Sequence, residues 1–202
     1  MSTPTKVTAI VGTYRKGGIV DSAVDAILAS AKEAGAAVTK VYLIDKDIAF
    51  CTNCRTCTQK EGEKRGECPS VDDMRPLLDE IEGSDALVLA SPMNFGTVTA
   101  VMKRFIERLV CFAYWPWGAG GPKLRLKRKD KRAVIVASSA APAFMGRFHG
   151  GMVKLMKNAA GLLGAKSAGV LFIGLCAMEQ RQKIRERTVK KARRLGRKLV
   201  SR

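Results

Sequence analysis

The 202 residues suffice for one domain with a sizeable core, and 47% hydrophobic against 27% charged residues excludes a disordered or fibrous chain. No run approaches the ~18 to 20 uninterrupted apolar residues that cross a bilayer, and residues 1–6 lack the basic and apolar regions of a secretory signal; the expected location is the cytoplasm, with no membrane partner. The net charge of +18 suggests nucleic acid at first, but it is concentrated in two places: residues 123–132 hold seven basic residues against Asp130, and residues 179–202 hold eleven against two acids. In the second of these, Ile184, Ala192, Leu195 and Leu199 recur at helical spacing, which predicts a helix over 179–201 with one docked apolar stripe and a basic outer face. A solvated face is the plain reading of that charge; attraction of phosphates, an acidic protein, or weak membrane or nucleic-acid contact are the functional ones. No reading helix or aromatic sheet motif accompanies it, so nucleic-acid binding is not expected.

Periodicity along the chain gives a regular alternation. Residues 6–12 (KVTAIVG) form a β-branched run ending in glycine, the pattern of a buried strand. Val20, Ala23, Val24, Ile27, Leu28 and Ala31 then mark a helix that Gly35 stops, and residues 38–43 are a second strand. After a polar, cysteine-bearing loop over 46–70, Asp72 or Asp73 caps a helix carrying Met74, Leu77, Leu78 and Ile81. Residues 86–90 (ALVLA) are the third strand. Val98, Val101, Met102, Phe105, Ile106 and Leu109 make the next helix, followed over 112–122 by an aromatic, glycine-rich stretch without period that reads as an exposed loop. Residues 133–137 (AVIVA), a helix from Met152 to Leu163 stopped by Gly164, and residues 169–173 (GVLFI) complete the pattern.

Five short apolar strands joined through helices require crossover connections, hence a parallel sheet covered on both faces. No repeat, Pro-rich linker or boundary divides residues 1–202, which read as one domain. Ligands of such sheets sit beyond the carboxyl ends of the strands, which directs attention to residues 13–20, 91–97 and 138–151, and to the cysteine loop. Residues 12–18 (GTYRKGG) join a strand to a helix; they are a tight turn that needs glycine, or a phosphate cradle of free N–H groups, the Thr13 hydroxyl and the helix dipole. The spacing is neither Walker A nor Gly-x-Gly-x-x-Gly.

Residues 90–100 (ASPMNFGTVTA), continued by Lys103, Phe105, Glu107 and Arg108, resemble the Ser-Pro-x-Tyr-Phe/Trp-Gly…Lys-x-Phe-x-Asp-Arg signature of the NADPH-dependent FMN reductases and iron–sulfur flavoproteins of the flavodoxin superfamily. The likeness runs in order from the loop at 12–18 through Cys51-x-x-Cys54-x-x-Cys57 and residues 71–74 (VDDM) to Arg108. It implies a flavodoxin-like three-layer α/β sandwich with strand order 2-1-3-4-5, FMN as cofactor, NAD(P)H as co-substrate, and a homodimer or homotetramer. Carried over by position, Thr13, Arg15, Gly17 and Gly18 hold the flavin phosphate. Ser91, Pro92, Met93, Asn94, Phe95 and Gly96 wrap the isoalloxazine, and Ser138 and Ser139 line its other side. The chain departs from the family where Ile19 and Val20 replace hydroxyl or amide side chains, where Asn94 stands for a tyrosine, and at Glu107. Trp115 and Trp117 fall where a lid or a dimer contact would lie, and the single histidine, His149, reads as a helix-start or surface residue rather than a proton donor.

Cys51, Cys54 and Cys57, with Cys68 ten residues beyond, suit a [4Fe–4S] cubane with closely spaced iron corners better than a zinc ribbon with two separated pairs. The family has cluster-bearing members with such a compact motif and cluster-free members that keep the cysteines, so a cluster, no metal, or zinc or another thiophilic ion all stay open. Cys111 and Cys176 read as buried small residues. The expected function is an oxidoreductase passing electrons from NAD(P)H through FMN to a quinone, nitro or azo compound, metal, flavin or protein. A flavodoxin- or ferredoxin-like carrier without NAD(P)H activity is the alternative.

Overall fold

In the computed structural model, which describes residues 3–126, 128–149 and 151–201, the apolar runs become strands and the stripes become helices. The order is β1 (Lys6–Val11), α1 (Ile19–Glu33), β2 (Ala37–Tyr42), α2 (Met74–Glu82), β3 (Ala86–Pro92), α3 (Ala100–Arg108), β4 (Ala113–Tyr114), β5 (Lys123–Leu124), β6 (Lys131–Ser138), α4 (Ala143–His149), α5 (Met152–Leu162), β7 (Ala165–Ile173) and α6 (Glu186–Val200). Five strands pair in parallel in the order β2-β1-β3-β6-β7, the flavodoxin-like arrangement expected once the β4–β5 ribbon is set aside. Strand order reverses beside β1, so the crevice between the carboxyl ends of β1 and β3 is the natural ligand position.

Side chains alternate between two cores, as the period of two in a strand requires. Val7, Ala9 and Val11 of β1, Ala86, Val88 and Ala90 of β3, and Val134 and Val136 of β6 pack under α1 and α6. Ile10, Leu87, Leu89, Ile135 and Ala137 pack on the other face, with α2, α3 and α5. Alanines recur on the first face, which lets α1 lie close to the sheet. Among the described residues no helix is long and apolar enough to cross a membrane.

Four expectations need correction. The last helix starts at Glu186, not 179: residues 174–185 form a loop in which Gln182 donates to Leu175 O (2.8 Å) and accepts from Met178 N (3.1 Å). The stretch 112–122 is not simply an exposed loop. Phe112 and Ala113 are buried, and residues 113–124 close an antiparallel ribbon whose two-residue strands are too short to show a period. The loop at 138–151 contains α4, drawn close because a Cβ on Gly146 would lie 2.5 Å from Ser139 Oγ and 2.8 Å from Phe172 Cζ. Finally, β7 begins at Ala165 rather than 169. As an edge strand it tolerates polar Lys166 and Ser167, and its register against β6 slips between Ala133 and Val134.

The helix pair α1–α6 makes a sharp test of packing. A Cβ on Gly196 would stand 2.2 Å from the backbone Ile27 O, which cannot rotate away, whereas one on Gly169 would meet only the tip of Leu195, Cδ2 at 2.4 Å. Gly196→Ala is expected to destabilise the fold by about 1–3 kcal/mol and Gly169→Ala by clearly less, read as the two shifts in thermal midpoint.

Candidate functional site

The chain leaves β1 through Gly12, whose N–H donates to Ala90 O (2.8 Å) and which approaches α3 so closely that a Cβ would lie 2.7 Å from Met102 Cβ. Thr99 secures this contact. Its hydroxyl donates to Gly12 O (2.5 Å) and accepts from Met102 N as the α3 cap, while its own N–H donates to Ser91 Oγ (3.1 Å). The Ser91 side chain is fully buried in this knot, so what it offers a ligand is main chain.

Beyond Gly12, Thr13 is buried and its hydroxyl accepts from Arg15 N (3.2 Å). Gly17 has φ +77, a left-handed conformation that favours glycine. Its N–H donates to Asp21 Oδ2 (2.6 Å), and Gly18 N donates to Arg15 O (3.2 Å). The N–H groups of Thr13, Tyr14 and Lys16 have no partner among the described residues and stand before the positive end of α1. The Arg15 guanidinium donates to Gln180 O (2.7 Å), clasping the 174–185 loop. The guanidinium thus meets a carbonyl 165 residues away in sequence.

Asp21 escaped the sequence reading. It is 2% exposed in the first turn of α1 and accepts from the Tyr42 hydroxyl (2.9 Å) besides pairing with Lys40 Nζ. Burial pushes its carboxyl up, but Lys40, Gly17 N–H and Tyr42 outweigh it and hold it below the usual carboxylate range; Lys40 is correspondingly raised.

At the end of β3, Asn94 and Thr97 exchange backbone bonds (2.9 and 3.0 Å) across Phe95 and Gly96, at φ +47 and +77. Positive φ at both central residues marks a primed tight turn, which asks for glycine; phenylalanine takes the first position, fully exposed. Met93 N donates to Ser138 O (2.7 Å), bringing the second and third loops together. Ser138 and Ser139 are buried, and the Ser139 hydroxyl donates to Ala141 O (2.9 Å). Thus the loops expected at the flavin do meet at one edge, although three of their serine side chains are turned to internal structure. The side chain of His149 lies outside the described residues.

The cysteine loop is organised by arginines. Arg108, at the end of α3, is buried against Asp72, donates to Ala49 O (2.8 Å) and reaches Cys68 Sγ (3.4 Å). Asp72 also accepts from Ala49 N (2.9 Å) and Met74 N (3.0 Å), whereas Asp73, the residue before α2, makes no side-chain cap. Burial pushes the Asp72 carboxyl up; the Arg108 guanidinium and the two N–H groups outweigh it and leave it lowered. Arg55 lies between two indoles, 4.1 Å from the Trp115 centroid and 4.2 Å from that of Trp117, and donates to Trp115 O (2.6 Å). These tryptophans therefore stack on the cysteine loop's own arginine. Arg125 is buried beneath the loop.

Cys54 is exposed, Cys51 and Cys68 are half-buried, and Cys57 is buried. Hydrogen bonds from Thr56 lower the Cys54 thiol; burial raises that of Cys57, and the neighbouring sulfurs of Cys68, Cys51 and Cys54 raise it further. Asn53 and Arg55, on either side of Cys54, have φ +55 and +58, turns that fold the segment around its thiols. Four soft thiol donors share one folded loop, the donor type a thiophilic ion takes, but among the described residues no three are drawn together as a ligand group. A cleft of about 1060 Å³ runs below, lined by Cys57, Cys68, Arg75 and Arg125 among others. Cys111 is buried as expected and its thiol pushed up to about 12; Cys176 is only half-buried.

Residues 5–166 match the family described as NADPH-dependent FMN reductase. An iron-sulfur flavoprotein of Archaeoglobus fulgidus is 40% identical over 111 residues, 55% of this chain and 48% of that protein. The chain spans about half the length of the curated relatives it matches. Two solved structures share the fold: an FMN-dependent NADH-azoreductase from Bacillus anthracis in complex with FMN (TM-score 0.72, 12% identity, 98% of this chain and 100% of that one) and the NAD(P)H:quinone oxidoreductase from Methanothermobacter marburgensis (TM-score 0.71, 19% identity, 99% and 98%).

Because the Asp21 value is depressed on folding, its contribution is present above the unfolded carboxylate value of about 3.9 and lost as pH falls through the folded one. Asp21→Asn is expected to lower stability by about 1–3 kcal/mol at neutral pH. Denaturant unfolding at stepped pH should show the gap to wild type closing as pH falls below the ordinary carboxylate value of about 3.9; a constant gap into acid would refute the role given to the charge.

Proposed function

Because this chain belongs to the NADPH-dependent FMN reductase family, we propose that it binds FMN across the carboxyl ends of β1, β3 and β6 and uses NAD(P)H to reduce it. The observation that carries this reading is the convergence of three loops at the sheet's switch point, with the N–H groups of Thr13, Tyr14 and Lys16, unpartnered among the described residues, before the positive end of α1. Thr13, Gly17 and Gly18 hold the phosphate chiefly through main chain, with Arg15 bracing the loop from Gln180. Residues Ser91, Pro92, Met93, Asn94, Phe95 and Gly96 form one wall of the ring site by backbone contact, and Ser138 and Ser139 the other. When bound, the flavin accepts a hydride and supplies the redox chemistry; the chain binds, orients and excludes water.

Electrons then leave to an acceptor of the class named for the two structural neighbours, a quinone or azo compound, or to a nitro compound, metal, flavin or protein. Cys51, Cys54, Cys57 and Cys68 would hold a [4Fe–4S] cluster beside this site, supported by the donor set and by the iron-sulfur flavoprotein relative. Six free thiols suit a reducing compartment, the cytoplasm. Phe50, Phe95 and Phe144 supply exposed apolar surface for a homodimer or homotetramer.

Protein purified without oxygen and loaded with FMN should show flavin absorption bands that bleach on adding NADPH. A protein that cannot be loaded overturns the reading, and one that binds FMN but is not reduced by either nicotinamide favours the carrier alternative. Thr13→Val removes a hydroxyl at the phosphate and is expected to weaken FMN binding about tenfold, followed by quenching of flavin fluorescence.

A further inference from the structure

In the loop after β1 the cations are already committed. Arg15 donates to Gln180 O (2.7 Å) and Lys16 pairs with Asp45 (2.6 Å), so the main-chain cradle at 13–18 offers a phosphate no free side-chain charge of its own. One step outward the balance is reversed. A pocket of about 240 Å³ opens between Ile19 at the start of α1, Ala143 at the start of α4, the carboxyl end of β7 and the segment leading into α6. Lys183, Arg185, Arg187 and Lys191 line it, and among the described residues no acid does. On α6 itself Lys190 pairs with Glu186 and Arg193 with Glu33. Among the described residues the four pocket cations have no ion pair, and the Thr188 hydroxyl beside them has no hydrogen-bond partner.

The pocket is built into the fold rather than left between loose segments. Leu175 N donates to Ala141 O and Cys176 N to Ser139 O (both 3.0 Å), tying its wall to the loop after β6. Gln182, which also lines it, braces the segment by donating to Leu175 O (2.8 Å) and accepting from Met178 N (3.1 Å). Gly174 lets the chain press on α4, where a Cβ would stand 2.2 Å from Ala143 N. Like charges gathered round one concavity repel each other and focus a positive field into it, and an anion seated there relieves the repulsion.

Volume and position limit what that anion is. The pocket is smaller than the ~300–1,000 Å³ of sites that enclose a whole small molecule, so it takes one end of a ligand. The proposed ring walls belong to the loops after β3 and β6, whereas the pocket lies at the end of the edge strand β7. A nicotinamide donor with its reacting ring between those walls carries its adenosine half at the opposite end. We propose that this pocket binds the phosphate monoester on that half, the 2′-phosphate that NADPH has and NADH lacks, and that Lys183, Arg185, Arg187 and Lys191 thereby set the choice of donor. This rests on the NAD(P)H reading above. Guanidinium forks match phosphate oxygens bidentately, and a doubly negative monoester engages more of these charges than a singly negative diester does.

The test uses the full chain loaded with FMN, as wild type, Arg185→Gln, Arg187→Gln and Lys190→Gln, the last an exposed cation of α6 outside the pocket. Calorimetric titration with 2′,5′-ADP and with 5′-AMP separates recognition of the phosphate from hydride transfer, and flavin bleaching by NADPH and by NADH follows the whole donor. Wild type is expected to bind 2′,5′-ADP and NADPH about tenfold or more tightly than 5′-AMP and NADH. Each pocket variant should lose about tenfold toward the ligands that carry the 2′-phosphate and less than about twofold toward the others, with FMN affinity and thermal midpoint unchanged. Equal binding of 2′,5′-ADP and 5′-AMP by wild type overturns the inference. So does a loss in Lys190→Gln as large as in the pocket variants, which assigns the preference to the general charge of the helix. Weakened FMN binding in the pocket variants also overturns it, because the charges then serve the flavin's own phosphate. A chain that binds FMN but is reduced by neither nicotinamide sinks the donor reading and this inference with it, whereas one reduced equally well by NADPH and NADH sinks this inference alone.

Discussion

The buried ion pair between Arg108 and Asp72 is the joint on which the functional edge hangs. Both side chains are almost sealed from water, and between them they contact four separate pieces of chain: the end of α3, the start of α2, Ala49 and Cys68. Separating such a pair by removing one partner strands the other charge in a medium that solvates it poorly, at about 3–5 kcal/mol. The opposite end of α3 is fixed as firmly, by Thr99 to Gly12 and Ser91. One nine-residue helix thus spans the distance from the loop after β1 to the thiol loop and sets their relative position.

Charge is handled differently at the two ends of that helix. Near α1, the negative Asp21 is satisfied inside the protein by Lys40, Tyr42 and Gly17, while other N–H groups of the loop have no partner among the described residues. Around the cysteines the buried cations outnumber the buried acid: Arg108 and Arg125 against Asp72.

What the sequence discloses follows from where each residue is buried. The central strands are covered on both faces and read as unbroken apolar runs, so residues 86–90 and 133–137 announce themselves; the parallel pairing follows from crossover rules, and the strand order from the family resemblance. The thiol donors are equally legible because their spacing is local. Long-range pairings are not: nothing near Arg15 indicates Gln180, and Arg125 is hidden by an inverted pattern in which Leu124 is exposed and the arginine turned inward. The β4–β5 ribbon and α4 are too short to carry a period, and Asp21 sits within a helical stripe whose apolar neighbours mask it.

The last helix covers the first. α6 lies across α1 at Gly196 and Ile27, and Ala192, Leu195 and Leu199 complete the core above Val20, Val24 and Leu28. On the ribosome these partners emerge far apart in time: with about 150 residues between them and translation at about 5–20 residues per second, α1 waits roughly eight to thirty seconds for its cover. During that interval its apolar face, and the alanine-rich face of the sheet beneath it, are open to other nascent chains. The basic coat on the outer surface of α6 is added only as that face closes, so the segment that finishes the core also supplies much of the chain's positive charge.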